Sequence, residues 1–123
     1  MSGQESRLLG RWGEALAAEH LRRAGYQILA ANWRSRFGEI DLIAANQNYL
    51  CFVEVKLRKS AAFGGAGEFV DQRKQNKLRL TAELYLSCHQ TRLQPRFDVI
   101  EVYAPQGTDT KAPRVRHIEN AFF

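Results

Sequence analysis

Two segments that should form buried strands carry ionisable side chains in their middle. Residues 38–44 read Gly-Glu-Ile-Asp-Leu-Ile-Ala, and residues 52–56 read Phe-Val-Glu-Val-Lys. Burying an unpaired carboxylate or ammonium group is costly, so such groups usually pair, lose their charge or hold a metal ion. The sequence therefore predicts that these two strands bring their charged side chains together in a functional site.

The spacing of apolar residues predicts the order helix, three strands, helix and two strands. The second and third strands are joined by a short polar turn, which is typical of a β-hairpin, and a glycine-rich loop is expected over residues 60–67. The 123 residues suffice for one core, so we expect a single domain over residues 1–123. The predicted helices cover residues 6–24 and 71–87, and the predicted strands cover 26–34, 38–45, 49–57, 97–103 and a short 115–118.

The register of the hairpin brings the charged residues to one place. Because side chains alternate across a strand, Glu39 and Asp41 share a face of the second strand, and Glu54 and Lys56 share a face of the third. A turn centred on residues 47 and 48 then puts Asp41 opposite Glu54, and Glu39 opposite Lys56, with Cβ atoms about 4.5–5.5 Å apart. Two carboxylates that close repel each other, and a divalent cation between them would remove the repulsion.

Mg²⁺ suits such a pair of carboxylates, because it takes hard oxygen ligands and keeps waters and phosphate oxygens in its shell. A bound ion polarises a phosphoryl oxygen and lowers the pKa of a coordinated water. Lys56 would orient that water or stabilise charge in the transition state, and Glu14 would complete the shell if the first helix packs beside the hairpin. The alternative is an ordinary Glu39–Lys56 ion pair with Asp41 as a solvated acid.

The formal charge of +5 and the pI near 9.6 are compatible with a polyanionic partner. Several basic residues would contact phosphates if that partner is nucleic acid, and would be solvated charges otherwise. Such contacts give affinity without sequence choice. The glycine-rich segment lacks a Gly-Lys-Ser/Thr ending, which excludes a P-loop. The candidate phosphate contacts are Arg34, Arg36, Arg58, Lys74 and Lys77.

The remaining polar groups favour structural roles. Asp98 lies in the middle of a strand, and we expect it to pair with an arginine. Cys51 and Cys88 are expected to be free thiols, and the cysteines and histidines lack the spacing of a zinc site.

No apolar run approaches the roughly 20 residues that span a bilayer. The first residues lack the apolar stretch of a signal peptide, which predicts a cytoplasmic location and no membrane partner.

The residues of the predicted site also resemble a known family. Glu14 in the first helix and three strand segments, residues 38–43, 52–58 and 96–99, look like those of the uncharacterised bacterial YraN-type family. That family is grouped with the PD-(D/E)XK nuclease superfamily and is similar to Holliday-junction resolvases. The resemblance covers nearly the whole chain, from residue 10 to residue 122.

This resemblance implies a restriction-endonuclease-like core, an α/β fold with a mixed central β-sheet flanked by helices. It implies that Asp41 and Glu54 are metal ligands, that Lys56 is the catalytic lysine, and that Glu14 joins the metal shell. The superfamily signature begins Pro-Asp, whereas Ile40 precedes the aspartate here, which leaves the carboxylate unaltered. Similarity to resolvases is also compatible with a homodimer, since two symmetric cuts need two sites.

The sequence thus predicts a Mg²⁺- or Mn²⁺-dependent endonuclease that hydrolyses DNA phosphodiester bonds, with branched DNA as a candidate substrate. Asp41 and Glu54 would hold the metal, Glu14 and Glu39 would support it, and Lys56 would assist the chemistry. The first alternative is a nuclease-like domain that binds nucleic acid without cutting it. The second alternative is a structural or adaptor protein.

Overall fold

The computed structural model describes residues 3–59 and 70–123. In these residues the elements follow the predicted order, with a short 3₁₀ turn before the last strand. The loop predicted over residues 60–67 lies outside the described residues, and the single domain over residues 1–123 stays a prediction. The helices are α1 (Gly3–Arg23) and α2 (Gln72–Cys88), and the strands are β1 (Gln27–Ser35), β2 (Gly38–Ala45), β3 (Tyr49–Arg58), β4 (Gln94–Tyr103) and β5 (Arg114–Phe122).

The five strands form one mixed sheet in the order β1-β2-β3-β4-β5. β3 and β4 are parallel and all other neighbours are antiparallel. The parallel pair follows from α2, which connects β3 to β4 and returns the chain across the sheet. The predicted α/β class, a mixed sheet flanked by helices, is confirmed and is consistent with a restriction-endonuclease-like core. In the described part of the chain, neither helix is long and apolar enough to cross a bilayer.

Two apolar clusters hold the helices on opposite faces of the sheet. The cluster beneath α1 includes Leu42, Ala44, Cys51 and Val53 together with helix residues such as Ala17 and Leu21. The cluster beneath α2 is centred on Phe52, Ile43 and Val99, with Leu78 and Tyr85 from the helix. Both cysteines are free thiols, as predicted. The sheet is therefore covered on both faces, and a charged group inside it needs a partner.

The turn between β2 and β3 is built on the side chain of Asn46. Its Oδ1 atom accepts hydrogen bonds from the backbone N–H groups of Asn48 and Tyr49, at 2.9 and 2.8 Å. Asparagine favours such turns because its side chain can bond the backbone two residues on. The turn sets a register in which Leu42 pairs with Val53. The predicted hairpin and its register are confirmed in this paired part.

The alternation of side chains along β2 breaks next to Asp41. Leu42 packs beneath α1, whereas Ile40 and Ile43 pack beneath α2. Strict alternation, on which the predicted faces relied, would put Ile40 and Leu42 on the same face, and this is wrong. The neighbouring strand β1 is irregular at the same level, since Asn32 has a φ of 54°, in the left-handed region that asparagine tolerates better than most residues. The irregular stretch coincides with the candidate site.

The last strand, β5, is longer than the predicted residues 115–118 and reaches Phe122. The two residues that follow the predicted end, Glu119 and Asn120, are polar. In the structure the backbone N–H of Asn120 donates a hydrogen bond of 3.0 Å to Oδ1 of Asp98. Phe122 then pairs with Phe97 of β4. The buried carboxylate of Asp98 on β4 thus bonds the polar segment, and the pairing of β5 with β4 continues beyond it.

Asp98 is fully buried, and its carboxylate contacts Arg96, His117 and the backbone N–H of Asn120. Arg96 donates two hydrogen bonds to its carboxylate, from Nε and Nη2, both at 2.8 Å. Nε2 of His117 lies 2.7 Å from Oδ2 of the same carboxylate. Arg96 also forms an ion pair with the exposed Glu119 at 3.1 Å. The predicted pairing of Asp98 with an arginine is confirmed, and these contacts agree with the structural role predicted for it.

Gly13 sets how closely α1 approaches β3, and replacing it with valine is expected to destabilise the fold. A Cβ atom at Gly13 would lie 2.8 Å from Cδ2 of Leu57, whereas one at Gly10 would have no neighbour within 4 Å. Overpacking of this kind costs about 1–3 kcal/mol. We expect urea denaturation to show that loss for Gly13→Val and a change below about 0.5 kcal/mol for Gly10→Val. Equal stabilities of the two variants would contradict the close approach.

Candidate functional site

The candidate site lies where β2 and β3 part. The backbone pairing of these strands runs from the turn to Leu42 and Val53. Beyond that point β2 stays paired with β1, and β3 stays paired with β4. The next connection across the gap comes from a side chain, since the backbone N–H of Val55 donates a 2.8 Å hydrogen bond to Oδ2 of Asp41. We call this place, defined by Asp41, Glu54 and Val55, the fork.

The carboxylates of Asp41 and Glu54 lie so close together at the fork that ionisation of both is unfavourable. Glu54 is only 6% exposed, and its side chain lies within hydrogen-bonding reach of Asp41. Burial first, and then the facing charge of Glu54, raise the pKa of Asp41 from 3.8 to about 7, although the bond from Val55 opposes the rise. The pair therefore gains from a positive charge placed beside it.

Two lysines supply positive charge at Glu54. Nζ of Lys74 lies 3.0 Å from Oε1 of Glu54, and Nζ of Lys56 lies 4.0 Å from the same oxygen. Lys56 comes from β3 itself, two residues after Glu54, and Lys74 comes from the first turns of α2. Desolvation is the largest single effect and lowers the pKa of Lys74, but the charge and hydrogen bond of Glu54, together with the charges of Asp41 and Asp71, outweigh it and the net shift is upward. The predicted neighbours Asp41, Glu54 and Lys56 do lie together.

Glu14 reaches the fork from α1. Nδ2 of Asn32, the residue with positive φ, donates a 3.1 Å hydrogen bond to Oε1 of Glu14. Burial raises the pKa of Glu14, the bond from Asn32 lowers it, and the charges of Glu39 and Glu54 raise it further. The carboxylate of Glu14 therefore interacts electrostatically with those of Glu39 and Glu54. Gly13 lets α1 come close enough to β3 for this interaction.

Glu39 does not face Lys56 as the simplest hairpin predicted. Its carboxylate lies 3.3 Å from Nε of Arg34 on β1, while the ammonium of Lys56 approaches Glu54. The reason is the fork, because β2 is paired with β1 rather than with β3 at this level. The alternative of an ordinary Glu39–Lys56 ion pair is thereby excluded for the described residues.

A cavity of about 620 Å³ opens beside the fork, between β2 and α2. Two of the five predicted phosphate contacts, Lys74 and Lys77, line it, and Arg34 is tied to it through Glu39. The other two lie apart from it, with Arg36 packed on the ring of Phe37 and Arg58 paired with the buried Glu101 at 3.1 Å. The lining residues are Gly38, Glu39, Asp41, Glu54, Asp71, Arg73, Lys74, Lys77, Leu78 and Thr81.

The donor set at the fork fits a hard divalent cation. Mg²⁺ typically takes one or two carboxylates, with waters and phosphate oxygens filling the remaining positions. Asp41 and Glu54 supply two such carboxylates, and their mutual repulsion would be relieved by a cation. Within residues 3–59 and 70–123, no three potential ligands are already arranged around a common point. The ammonium of Lys74 holds Glu54 instead, at 3.0 Å.

Two features of the site were not predicted from the sequence. Asn32, which bonds Glu14, interrupts the otherwise apolar run of residues 28–33, and that interruption was the available clue. Lys74 was predicted to contact phosphate, but its ion pair with Glu54 joins two residues twenty positions apart on different elements. Only the packing of α2 against the sheet shows that pair.

The fold and the fork define a class of protein: an α/β domain with a half-buried acid, a buried acid and a lysine where two central strands part. The chain belongs to the uncharacterised protein family UPF0102, whose model matches residues 13–102. The resemblance to the YraN-type family is thus confirmed. No activity is attached to the family by this description.

The relatives match along almost their whole length. A UPF0102 protein of Caldanaerobacter subterraneus subsp. tengcongensis is 44% identical over 123 residues, covering 99% of this chain and 100% of the relative. One from Rhodococcus opacus is 44% identical over 117 residues, with 93% and 95% covered. One from Stutzerimonas stutzeri is 42% identical over 120 residues, with 96% and 97% covered. The residues of the fork lie within the part of the chain that the family model matches, residues 13–102.

Proposed function

We propose that this protein is a Mg²⁺- or Mn²⁺-dependent endonuclease that hydrolyses phosphodiester bonds in DNA. The observation that carries the proposal is the pair of the half-buried Asp41 and the buried Glu54, whose carboxylates face each other beside Lys56. A merely structural pair of acids would destabilise the sheet at neutral pH, since like charges disfavour each other's ionisation. A divalent cation bound between the two carboxylates would remove their repulsion.

Each side chain would have a defined task in hydrolysis, which joins a water oxygen to phosphorus and releases one ester oxygen. Asp41 and Glu54 would hold the cation, with Glu14 and Glu39 supporting the charge around them. The cation would polarise a phosphoryl oxygen and lower the pKa of a bound water. Nζ of Lys56 would donate a hydrogen bond to the oxygens that gain negative charge as the water attacks.

A polyanionic substrate agrees with the charge around the cavity. Lys74, Lys77 and Arg73 project from the first turns of α2 into the cavity, and the positive end of a helix favours phosphate groups. Contacts of this kind recognise the backbone without reading bases. The resemblance to resolvases adds branched DNA as a substrate and a homodimer as the assembly, and the first residues, which lack the apolar stretch of a signal peptide, add the cytoplasm as the location.

Replacing Lys56 with alanine is expected to lower the rate of DNA cleavage about 10²–10³-fold, as the loss of one transition-state donor does in other enzymes. The assay compares supercoiled plasmid, single-stranded DNA and a four-way junction, each with Mg²⁺, with Mn²⁺ and with a chelator. Lys111→Ala, at an exposed lysine between β4 and β5, serves as the matched control and should cut like the wild type.

The same assay separates the alternatives. Cutting without a metal, or cutting that survives both Asp41→Ala and Lys56→Ala, would contradict the proposal. DNA binding that weakens with salt but no cutting on any substrate would favour a binding module. Absence of any salt-dependent DNA affinity would favour a structural or adaptor protein.

A further inference from the structure

Lys74 has an unusual position for a residue of the proposed DNA-binding surface. Its Nζ atom lies 3.0 Å from Oε1 of Glu54, so its ammonium forms an ion pair with a buried carboxylate. Its side chain is nevertheless 45% exposed, and it lines the same cavity as Lys77 one turn further along α2. The contact ties the start of α2 to the fork.

We propose that Lys74 is an exchange cation: it neutralises Glu54 in the metal-free protein, is displaced when a divalent cation binds, and then contacts a DNA phosphate. This inference rests on the proposed function and adds to it a coupling between metal binding and DNA binding. Lys74 would be a positioning and binding residue, distinct from Lys56 on β3.

The geometry supports the exchange in two ways. A divalent cation bound directly to Oε1 of Glu54 and an ammonium held 3.0 Å from the same oxygen would repel each other strongly in a poorly solvated site. The lysine stem is long and flexible, so the displaced ammonium can swing into the cavity without any movement of α2. The cavity of about 620 Å³ gives it room beside Lys77 and Arg73.

Calorimetric titration with Mg²⁺ in the absence of DNA tests the first half of the exchange. Lys74→Gln removes the competing ammonium, and we expect it to bind the metal about five- to tenfold more tightly than the wild type. Lys77→Gln is the matched control, since it removes the same charge from the same cavity without touching a carboxylate ligand; we expect its affinity to change less than twofold. An equal gain in Mg²⁺ affinity in both variants would overturn the exchange, because the loss of any positive charge from the cavity would then explain the result.

Fluorescence anisotropy with labelled DNA tests the second half. Measurements in chelator and in Ca²⁺, a hard divalent cation that takes oxygen ligands, give the weakening caused by each substitution in the two conditions. For Lys74→Gln we expect about tenfold weakening with Ca²⁺ and no more than about threefold in chelator, because only the displaced lysine reaches phosphate. For Lys77→Gln the two factors should be equal.

The outcomes keep this inference separate from the function beneath it. If the wild type binds metal and DNA but Lys74→Gln weakens DNA binding equally in both conditions, Lys74 is an ordinary phosphate contact and the exchange is wrong. If the wild type binds no divalent cation, with or without DNA, the proposed function itself fails. Both lysines are exposed on the helix surface, so the variants should fold.

Discussion

Asp41→Asn is expected to make the metal-free protein more stable while abolishing DNA cleavage. The rise of the pKa of Asp41 from 3.8 to about 7 corresponds to an upper limit of about 4 kcal/mol of unfavourable free energy when the carboxylate is ionised. Asparagine removes that charge, can still accept the hydrogen bond from Val55, and can donate one to Glu54. At pH 8 we expect a gain of about 1–4 kcal/mol in the free energy of unfolding.

The pH dependence of this gain has a definite sign. The folded protein holds the Asp41 proton more tightly than the unfolded chain, so its stability falls as pH rises between about 4 and about 7. The advantage of Asp41→Asn should therefore be full above pH 7 and decline on acidification. Near pH 4 it should vanish, because the carboxyl group is then neutral in the folded state.

Thermal denaturation with and without Mg²⁺ measures both effects. The wild type should be stabilised by the ion, by about 2.7 kcal/mol at a hundredfold excess over Kd, and Asp41→Asn should not respond. In the metal-free protein Glu39→Gln is the matched control, because Glu39 lines the same cavity but is paired with Arg34; its stability without Mg²⁺ should stay close to that of the wild type. A variant at Asp41 that is less stable at pH 8 would contradict the proposed repulsion.

Asp98→Ala is expected to cost about 3–5 kcal/mol of stability, because it leaves the guanidinium of Arg96 buried without its main partner. Arg96 is 8% exposed, and among residues 3–59 and 70–123 its one other carboxylate partner is that of Glu119, which is 61% exposed. The loss should also weaken the end of β5, since Asn120 bonds the same carboxylate. Urea denaturation monitored by circular dichroism measures it.

Glu119→Ala is the matched control, since it removes the exposed partner of the same arginine and should cost less than about 1 kcal/mol. Asp98→Asn keeps the shape and part of the hydrogen bonding and should fall between the two, which keeps the comparison possible if the alanine variant does not fold. Similar losses for Asp98→Asn and Glu119→Ala would contradict a dominant role for the buried charge.

The pKa of Asp98 gives a second signature. Burial alone would raise it, but hydrogen bonds from His117, Arg96 and Asn120 hold it below 3.8. A depressed pKa means that the stabilisation is present above pH 3.8 and is lost as pH falls through the lower value of the folded state. The difference between the wild type and Asp98→Asn should therefore shrink below pH 3.8.

The elements and the hairpin register could be predicted because their causes are local. The period of apolar residues gives α1 and the strands, and the side chain of Asn46 fixes a turn whose register follows from alternation. The prediction that Asp41 and Glu54 meet used only that turn, and the structure brings them together. The buried charges in two strands were themselves the clue to a site.

The rest depends on contacts between distant parts of the chain. The fork arises because β2 continues along β1 while β3 continues along β4, and no local pattern shows where two strands part. For the same reason Glu39 was assigned to Lys56 rather than to Arg34. The ion pair of Lys74 with Glu54 and the full length of β5 depend on packing against other elements.

A stability cost at the fork would agree with a functional site. Proteins tolerate strained or mutually repelling groups where binding or catalysis requires them. Among the acids held in the described part of the sheet, Asp98, Glu101 and Glu54 each have a close cationic partner, whereas the carboxylate of Asp41 accepts a backbone hydrogen bond and faces Glu54. The repulsion that Asp41 meets beside Glu54 supports the choice of these two residues as the metal-binding pair.

The most direct test of a divalent-cation site at the fork is calorimetric titration of Mn²⁺ and Mg²⁺ into the wild type and Asp41→Asn, with Glu119→Ala as the control. We predict saturable binding in the wild type and the control, and none in Asp41→Asn. Absence of binding to the wild type, both alone and with DNA present, would contradict the metal site and with it the proposed hydrolysis.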